Sequence, residues 1–261
     1  MTSRFYDLSG GRIEARWIGP APADAPTLVL LHQGLGCAAM WGDFPAKLAQ
    51  ATGWGALVYS RYGYGASAPC SLPRPTSYMH DEALAVLTEL ITAAGLREHA
   101  LIGHSDGGSI ALIHAGGAPQ PGLLGVSVEA PHVFIEDISV SSIRAAGERF
   151  LTSDWPERLR RYHGDNLDCA FWGWQQAWVS PGFRDWNIED YLPHIRVPVL
   201  AIQGSDDEYG TMRQIGAIVA QAGGTVEAVK LAGCGHSPHR DRPDEVVARV
   251  SSFIAALPAK R

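Results

Sequence analysis

The sequence predicts an α/β fold in which a mainly parallel central sheet carries helices on both faces. Short apolar runs alternate along the chain with longer segments whose apolar residues recur at helical spacing. Two of the short runs, residues 27–31 and 55–59, are apolar, as strands are when helices cover both faces of a sheet. Parallel strands need crossover connections, and the helical segments between them supply these connections.

The predicted strands rest on residue pattern and length. Residues 12–18 alternate polar and apolar side chains, which indicates a strand with one exposed face. The other predicted strands are short apolar runs bounded by turn-forming or polar residues. They are residues 27–31, 55–59, 100–103, 124–128, 197–203 and 226–231.

The predicted helices lie between these strands or after the last of them. In residues 80–94 the apolar side chains of Leu84, Leu87, Leu90 and Ile91 recur at the spacing of one helix face. The remaining predicted helices are residues 44–51, 108–115, 212–222 and 243–257.

The alternation stops between about residues 132 and 194. This segment is rich in Trp, Arg and Asp, has no strand-like run and holds five of the eight tryptophans. Because about 60 residues are marginal for an independent core, we interpret residues 132–194 as a helical cap inserted over the carboxyl end of the sheet. The core of the fold is then formed by residues 1–131 and 195–261.

Composition and charge limit the classes of protein to which the chain can belong. The chain has 261 residues, of which 46% are hydrophobic and 18% charged, so it can bury a large core. A net charge of −6 gives no basic face for nucleic acid. The N-terminus lacks the apolar segment of a signal peptide, and no run approaches the ~18 apolar residues of a membrane span. We therefore expect a cytoplasmic monomer or homodimer that acts on a small molecule and binds neither nucleic acid nor membrane.

The cysteine and histidine patterns favour a protein without metal or other cofactor. No two cysteines have CxxC spacing, which favours reduced thiols over a disulfide framework or a structural zinc site. His236 and His239 form an H-x-x-H pair, but no third ligand stands near them. The cysteines are Cys37, Cys70, Cys169 and Cys234.

The sharpest catalytic motif is the segment 103–107, GHSDG, which matches G-x-S-x-G. It follows a predicted strand and precedes a predicted helix, where a nucleophile must occupy a strained turn with small neighbours. Ser105 is therefore the predicted nucleophile, and the amide of Asp106 would face a developing oxyanion from the helix N-terminus. The alternative is a glycine-rich turn that contains an ordinary serine.

A serine hydroxyl is a weak nucleophile until a base takes its proton. His236 follows the last predicted strand within the segment 233–237, GCGHS, and loops at the carboxyl ends of parallel strands form active sites. His236 is therefore the predicted base. His104 and His32 are expected to stabilise local structure instead.

A carboxylate should hold the imidazole in the correct tautomer. The segment 204–208, GSDDE, follows the predicted strand 197–203, and its residues alone do not separate Asp206 from Asp207. A solvated loop is the alternative interpretation of this acidic cluster. For the oxyanion, the segment 32–36, HQGLG, offers a second backbone donor, which we expect to be Gly34 or Leu35.

These motifs together resemble the α/β-hydrolase superfamily over nearly the whole chain. The segments HQGLG, RYGYGAS (61–67), GHSDGG, GSDDE and GCGHS occur in the order found in that family. The resemblance implies a catalytic order of Ser105, Asp207 and His236, because the family's acid stands three residues after the glycine that ends its strand. It also implies that the insertion is the family's cap.

The chain departs from the family pattern at two positions beside the expected oxyanion hole. The family's loop is H-G-x-G, whereas here Gln33 intervenes before Gly34, and Asp106 follows the nucleophile where many relatives have a bulky or amide side chain. An ionised carboxylate at position 106 could repel anionic substrates.

The resemblance implies acyl transfer through Ser105, and a serine there excludes the branches that use aspartate. We expect hydrolysis of a fairly hydrophobic ester or lactone, in a pocket formed by His132, Phe134, Trp172 and Trp178. The alternatives are carbon–carbon bond hydrolysis of a ring-cleavage product and a ligand receptor with slow turnover. Carboxylate-bearing ring-cleavage products would need a cation, for which the candidates are Arg61, Arg144 and Arg184.

Overall fold

The computed structural model describes residues 2–258 and contains, within this range, one eight-stranded sheet. In chain order the strands are β1 (Thr2–Leu8), β2 (Gly11–Ile18), β3 (Thr27–Leu31), β4 (Gly55–Tyr59), β5 (His99–His104), β6 (Leu123–Glu129), β7 (Val199–Gly204) and β8 (Val226–Leu231). Their spatial order is β1-β2-β4-β3-β5-β6-β7-β8. Strands β3 to β8 are parallel, whereas β1 and β2 pair antiparallel at one edge. The mainly parallel α/β fold is thereby confirmed.

The helices connect the strands and cover both faces of the sheet. They are α1 (Phe44–Thr52), α2 (Tyr78–Asp81), α3 (Leu87–Ala93), α4 (Asp106–Gly117), α5 (Asp137–Thr152), α6 (Trp155–His163), α7 (Leu167–Val179), α8 (Arg213–Gln221), α9 (Pro238–Asp241) and α10 (Pro243–Ala255). The predicted helix 80–94 is divided between α2 and α3, which a π-helical turn over Glu82–Val86 connects.

The sheet divides the apolar core in two, because successive side chains of a strand point to opposite faces. On one face Val29 and Leu101 pack with Ile110 of α4 and with helices of the inserted segment. On the other face Leu28 and Leu200 pack with residues of α1 and α10. Burying each leucine side chain contributes roughly 1.5–3 kcal/mol, so this arrangement explains why most residues of the central strands are apolar.

Helices α5, α6 and α7 all lie in the chain segment between β6 and β7. Within residues 132–194 the structure shows only an isolated bridge between Phe134 and Asn187 in place of a strand. Glycine at position 34, in the loop after β3, lies against Trp174 of α7. These helices therefore cover the carboxyl ends of the central strands.

Strand β1 was not predicted from the sequence. It is an edge strand, and the side chain of its Phe5 is 44% exposed and lies under the guanidinium of Arg12. An edge strand with little buried surface has a weak apolar pattern, which is why its residues did not suggest a strand. Across residues 2–258, every helix is too short or too polar to cross a bilayer.

Candidate active site

Ser105 occupies the sharp turn between β5 and α4. Its backbone φ is 53°, a left-handed conformation that is strained for a non-glycine residue and recurs at active sites. The turn closes because its neighbours lack side chains: a Cβ on Gly103 would overlap the carbonyl of Gly107, and one on Gly107 would overlap the carbonyl of Leu31. The sequence therefore forces the Ser105 side chain outward, above the carboxyl ends of the strands.

His236 lies in the loop between β8 and α9 and reaches the nucleophile. Its Nε2 is 2.9 Å from the hydroxyl oxygen of Ser105. Two neighbours hold the residue in place: the ring of Tyr209 packs on the imidazole at 4.7 Å between centroids, and Nε2 of His104 donates a 2.7 Å hydrogen bond to the His236 carbonyl. His104 thus supports the loop, as expected from the sequence.

Asp207 contacts the other side of the same imidazole. Its Oδ1 lies 2.8 Å from Nδ1 of His236 and also accepts the backbone amide of Tyr209 at 2.8 Å. Its Oδ2 accepts a 3.1 Å hydrogen bond from the amide side chain of Gln203. Asp206, by contrast, is exposed and accepts the hydroxyl of Ser205. The structure therefore brings Asp207, and not Asp206, to the histidine.

Electrostatics keep the Asp207 carboxylate ionised. Burial alone would raise its pKa, but the hydrogen bond and charge of His236 and the amide of Tyr209 outweigh burial and hold the pKa below its ordinary value. An ionised Asp207 accepts a hydrogen bond from the Nδ1–H of a neutral imidazole, so the Nε2 lone pair faces the hydroxyl of Ser105. This tautomer can remove the serine proton as the hydroxyl attacks a carbonyl.

The three expected oxyanion donors lie around Ser105. Asp106 begins α4, and Gly34 and Leu35 belong to the loop after β3; all three line the same cavity as the nucleophile. The next amide in the loop, that of Gly36, already donates to the carbonyl of Gln33 at 3.0 Å. Gly34 and Leu35 thus remain the candidates for the second donor.

A cavity of about 250 Å³ opens above Ser105 between the core and the helices α5 to α7. Of the four side chains expected to form it, His132 and Trp178 line it. The other apolar residues that line it were not predicted from the sequence; they are Leu35, Met40, Ile143, Trp155, Leu159, Trp174 and Tyr209. The i, i+4 spacing of Trp174 and Trp178 on α7 was a signal that these two rings share one face.

Phe134 and Trp172 do not line this cavity, which corrects the prediction for both. Phe134 pairs with Asn187 and lies under the guanidinium of Arg213. Trp172 precedes Trp174 by two residues on α7, which turns it to another face of the helix. There it packs on Phe150 at a centroid distance of 5.2 Å.

His132 places a second, neutral imidazole at the cavity. Burial, together with a smaller contribution from the nearby His236, lowers its pKa to about 3. Its ring packs edge-on against Trp178 at 4.9 Å, and within the described residues its Nδ1 has no hydrogen-bond partner. A substrate group in the cavity would therefore meet an uncharged side chain that can donate or accept one hydrogen bond.

The arginines considered as carboxylate ligands do not face the cavity. Arg144 is exposed on α5, and Arg184 pairs with Asp137 at the surface. Arg61 is buried and pairs with Asp106. The cation that does line the cavity is Arg240, which donates to the carbonyl of Met40.

The H-x-x-H pair does not form a metal site in the described structure. His239 binds the buried carboxylate of Glu129 through both its backbone amide and Nδ1, whereas His236 faces Ser105. Across residues 2–258 no group of three or more His, Cys, Asp or Glu side chains has the arrangement of a metal centre.

Known proteins resemble this chain at low sequence identity over nearly its whole length. A synthase of Enterobacter sp. (strain 638), which makes 2-succinyl-6-hydroxy-2,4-cyclohexadiene-1-carboxylate, is 24% identical over 259 residues that cover 88% of this chain and 92% of that protein. A proline iminopeptidase of Lactobacillus helveticus (strain DPC 4571) is 24% identical over 274 residues, covering 89% and 90%. The solved structure of an esterase from Exiguobacterium antarcticum superposes with a TM-score of 0.76 at 19% identity, covering 98% of this chain and 100% of that one.

The sequence itself matches the model of one family across most of the fold. The match to "Alpha/beta hydrolase family" extends over residues 28–249, from the first parallel strand to the last helix. It includes the elbow at Ser105, the inserted helices and the loops of Asp207 and His236. This match confirms the resemblance seen in the sequence motifs, and the chain belongs to the alpha/beta hydrolase family.

Proposed function

We propose that the protein is a serine hydrolase that cleaves a carboxylic ester or lactone of a small, neutral and fairly hydrophobic molecule. The observation that carries the proposal is the continuous contact from Ser105 through His236 to the buried Asp207, at the floor of a cavity. Nucleophile, base and orienting acid in this order are the arrangement used for acyl transfer.

The proposed reaction has two stages. His236 takes the Ser105 proton as the hydroxyl oxygen attacks the substrate carbonyl, and backbone amides stabilise the oxyanion. The imidazolium then protonates the departing alcohol, which leaves an acyl group on Ser105. His236 then takes a proton from water as the water oxygen attacks the acyl carbonyl, and it returns this proton to the Ser105 oxygen as the bond to the acyl group breaks and the acid leaves.

The shape and polarity of the cavity support a small neutral substrate. A volume of about 250 Å³ is below the usual range for drug-sized ligands and corresponds to roughly eight water volumes in the liquid. Its inner walls are mostly aromatic and aliphatic, and the imidazole of His132 is neutral there. The relatives include a synthase, a peptidase and an esterase, so the walls of the cavity, rather than family membership, support this substrate class.

The proposal is tested with p-nitrophenyl acetate, butyrate and octanoate and with small lactones, alongside labelling by a fluorophosphonate probe. We expect turnover that favours the shorter acyl chains, and labelling that Ser105→Ala abolishes. Ser252→Ala, which changes an exposed serine on α10, should label and turn over like the wild type. Labelling of a Ser105→Ala protein at the wild-type rate would overturn the proposal. Labelling of the wild type followed by negligible turnover on every ester would instead favour a slow receptor.

Carbon–carbon bond hydrolysis of a carboxylate-bearing substrate is the second candidate. Arg240 is the observation that favours it, because its guanidinium lies at the cavity wall and could pair with a carboxylate. The two candidates differ in what Arg240→Gln would do. It should raise KM for a carboxylate-bearing substrate at least tenfold and change KM for neutral esters less than about twofold.

A further inference from the structure

The peptide that joins Gln33 to Gly34 is held by its carbonyl oxygen. That oxygen accepts hydrogen bonds from Nδ1 of His32 at 2.7 Å, from Nη2 of Arg61 at 3.0 Å and from the amide of Gly36 at 3.0 Å. Nε2 of His32 accepts the backbone amide of Arg61 at 3.1 Å, so the proton of this neutral imidazole is on Nδ1. Three donors on one oxygen fix the orientation of the peptide.

The orientation of this carbonyl determines where the amide of Gly34 points. A trans peptide is planar, with its C=O and N–H groups on opposite edges. The Gln33 carbonyl faces Arg61, which is 1% exposed and lies outside the cavity wall. The N–H of Gly34 therefore points the other way, toward the cavity that Gly34 shares with Ser105.

Arg61 also contacts the residue that carries the other expected oxyanion donor. Its Nη2 lies 3.6 Å from Oδ2 of Asp106, and both side chains are buried. The same Oδ2 accepts the phenol of Tyr78 at 2.6 Å. One guanidinium thus joins the loop after β3 to the first residue of α4, and both parts of the chain line the cavity of the nucleophile.

We infer that Arg61 and Asp106 are positioning residues that hold the amides of Gly34 and Asp106 in register as the two donors of the oxyanion hole. This inference rests on the proposed function, because an oxyanion forms only if Ser105 attacks a carbonyl. It assigns Gly34, rather than Leu35, as the loop donor. It also gives a function to the carboxylate at position 106, which departs from the family pattern.

The charge of Arg61 acts on both donors. Hydrogen bonds to a carbonyl polarise the whole peptide, so a cation on the Gln33 oxygen strengthens the N–H of Gly34 as a donor. A buried carboxylate beside an oxyanion would repel it, and the guanidinium compensates the charge of Asp106. Burial alone would lower the pKa of Arg61, but Tyr64 and Asp106 outweigh burial and raise it, so the side chain stays charged.

The experiment compares Arg61→Met with Arg74→Met. Both guanidinium groups lie over the ring of Tyr64, at 4.8 and 4.7 Å, but Arg74 donates to the carbonyl of Tyr62 and contacts neither Gln33 nor Asp106. The readouts are kcat and KM for an ester and the Kd of an alkyl boronic acid, whose tetrahedral adduct on Ser105 places an oxygen in the hole. We expect Arg61→Met to lower kcat and boronate affinity about 10- to 100-fold while KM changes less than about threefold. Arg74→Met should leave kcat and boronate affinity within about twofold.

Two further variants separate positioning from folding. Removing one partner of a buried ion pair leaves an uncompensated charge, whereas removing both does not. The double variant Arg61→Met/Asp106→Asn should therefore fold even where Arg61→Met does not, and it should recover part of the boronate affinity. Arg61→Lys, which keeps the charge but lacks the planar guanidinium, should give intermediate affinity. Wild-type kcat and boronate affinity in a folded Arg61→Met or in the double variant would overturn the inference.

A measurement without turnover distinguishes this inference from the proposed function. In ¹⁵N-labelled protein, the Gly34 amide proton should shift upfield in Arg61→Met, because the peptide loses the polarising cation, and should not move in Arg74→Met. That shift in a protein whose Ser105 neither labels nor turns over would contradict the proposed function and leave the positioning intact. An unmoved Gly34 resonance in an active enzyme would contradict the positioning alone.

Discussion

The indole Nε1 of Trp178, on α7 of the inserted helices, donates a 2.9 Å hydrogen bond to the phenol oxygen of Tyr78, on α2 of the core. The phenol proton of Tyr78 is used in turn on Oδ2 of Asp106, at 2.6 Å. The inserted helices are therefore hydrogen-bonded, through one phenol, to the residue directly after the nucleophile. Trp178 also lines the cavity. These two hydrogen bonds therefore connect a side chain of the cavity wall to the residue beside the nucleophile.

Removing the hydroxyl group of Tyr78 should destabilise the fold. Tyr78→Phe leaves the Trp178 indole without its acceptor and leaves the Asp106 carboxylate with only the 3.6 Å ion pair to Arg61. A lost buried hydrogen bond costs about 1–3 kcal/mol per group, so we expect a loss of about 2–4 kcal/mol in the free energy of unfolding. Urea denaturation followed by tryptophan fluorescence measures it. Tyr162→Phe, in which the replaced ring is 46% exposed, should change stability by less than about 0.5 kcal/mol. Equal free energies of unfolding for the two variants would show that the Tyr78 hydroxyl does not stabilise the fold.

The sequence predicted those parts of the fold and site that have local signals. Buried parallel strands are short apolar runs, and the turn at Ser105 needs small neighbours on both sides, so both could be recognised from neighbouring residues alone. The choice of Asp207 over Asp206 came from the family spacing and agrees with the structure, in which Asp207, and not Asp206, contacts the imidazole of His236. The catalytic roles of these residues remain predictions.

What the sequence did not reveal depends on contacts between distant segments. The pair of Arg61 and Asp106 joins positions 45 residues apart, and no pattern within either segment indicates it. The cavity walls depend on which face of α7 meets the core, and aromatic composition alone could not decide between Trp172 and Trp174. Trp174 and Trp178 are four residues apart and so lie on one face of a helix, and this spacing favours Trp174 over Trp172 as the partner of Trp178 in the cavity wall.

Substitution of the triad acid should separate the two neighbouring aspartates. Asp207→Asn no longer offers a charged acceptor to Nδ1 of His236, so the imidazole can adopt the wrong tautomer, and we expect kcat to fall about 10³- to 10⁴-fold. Asp206→Asn changes an exposed side chain that bonds only its neighbour Ser205 in the described structure and should stay within about twofold of wild type. Steady-state kinetics on one p-nitrophenyl ester gives both values. A larger loss in Asp206→Asn than in Asp207→Asn would reject the assignment of the acid.

Stability should fall in mild acid because buried histidines are neutral in the folded protein. Burial lowers the pKa of His99 from its ordinary value of 6.5 to about 4, with a further contribution from His114. Between these two pH values the unfolded chain binds a proton at His99 that the folded protein does not, so the free energy of unfolding decreases as the pH falls through 6.5. At pH 5 this one residue accounts for up to about 2 kcal/mol.

The contribution of His99 can be isolated with one substitution. Within the described residues neither of its ring nitrogens has a hydrogen-bond partner, so His99→Leu removes the titrating group without breaking a bond. Urea unfolding at pH 7.5 and pH 5 should show a smaller loss of stability in the variant than in the wild type. An identical loss in the two proteins would mean that His99 is protonated in the folded state or lies accessible to water.

A methyl group at position 34 should disturb the oxyanion loop and the cavity together. The Cβ of an alanine there would overlap the indole Nε1 of Trp174, so either the loop after β3 or helix α7 must move. Because a shifted donor no longer meets the developing oxyanion, we expect Gly34→Ala to lower kcat/KM more than tenfold.

Shortening the facing side chain, in Gly34→Ala/Trp174→Leu, should restore part of the loss. Gly216→Ala on α8, where a Cβ meets nothing within 4 Å, is the control and should keep wild-type activity. Full activity of Gly34→Ala would show that the contact between Gly34 and Trp174 does not set the geometry of the site.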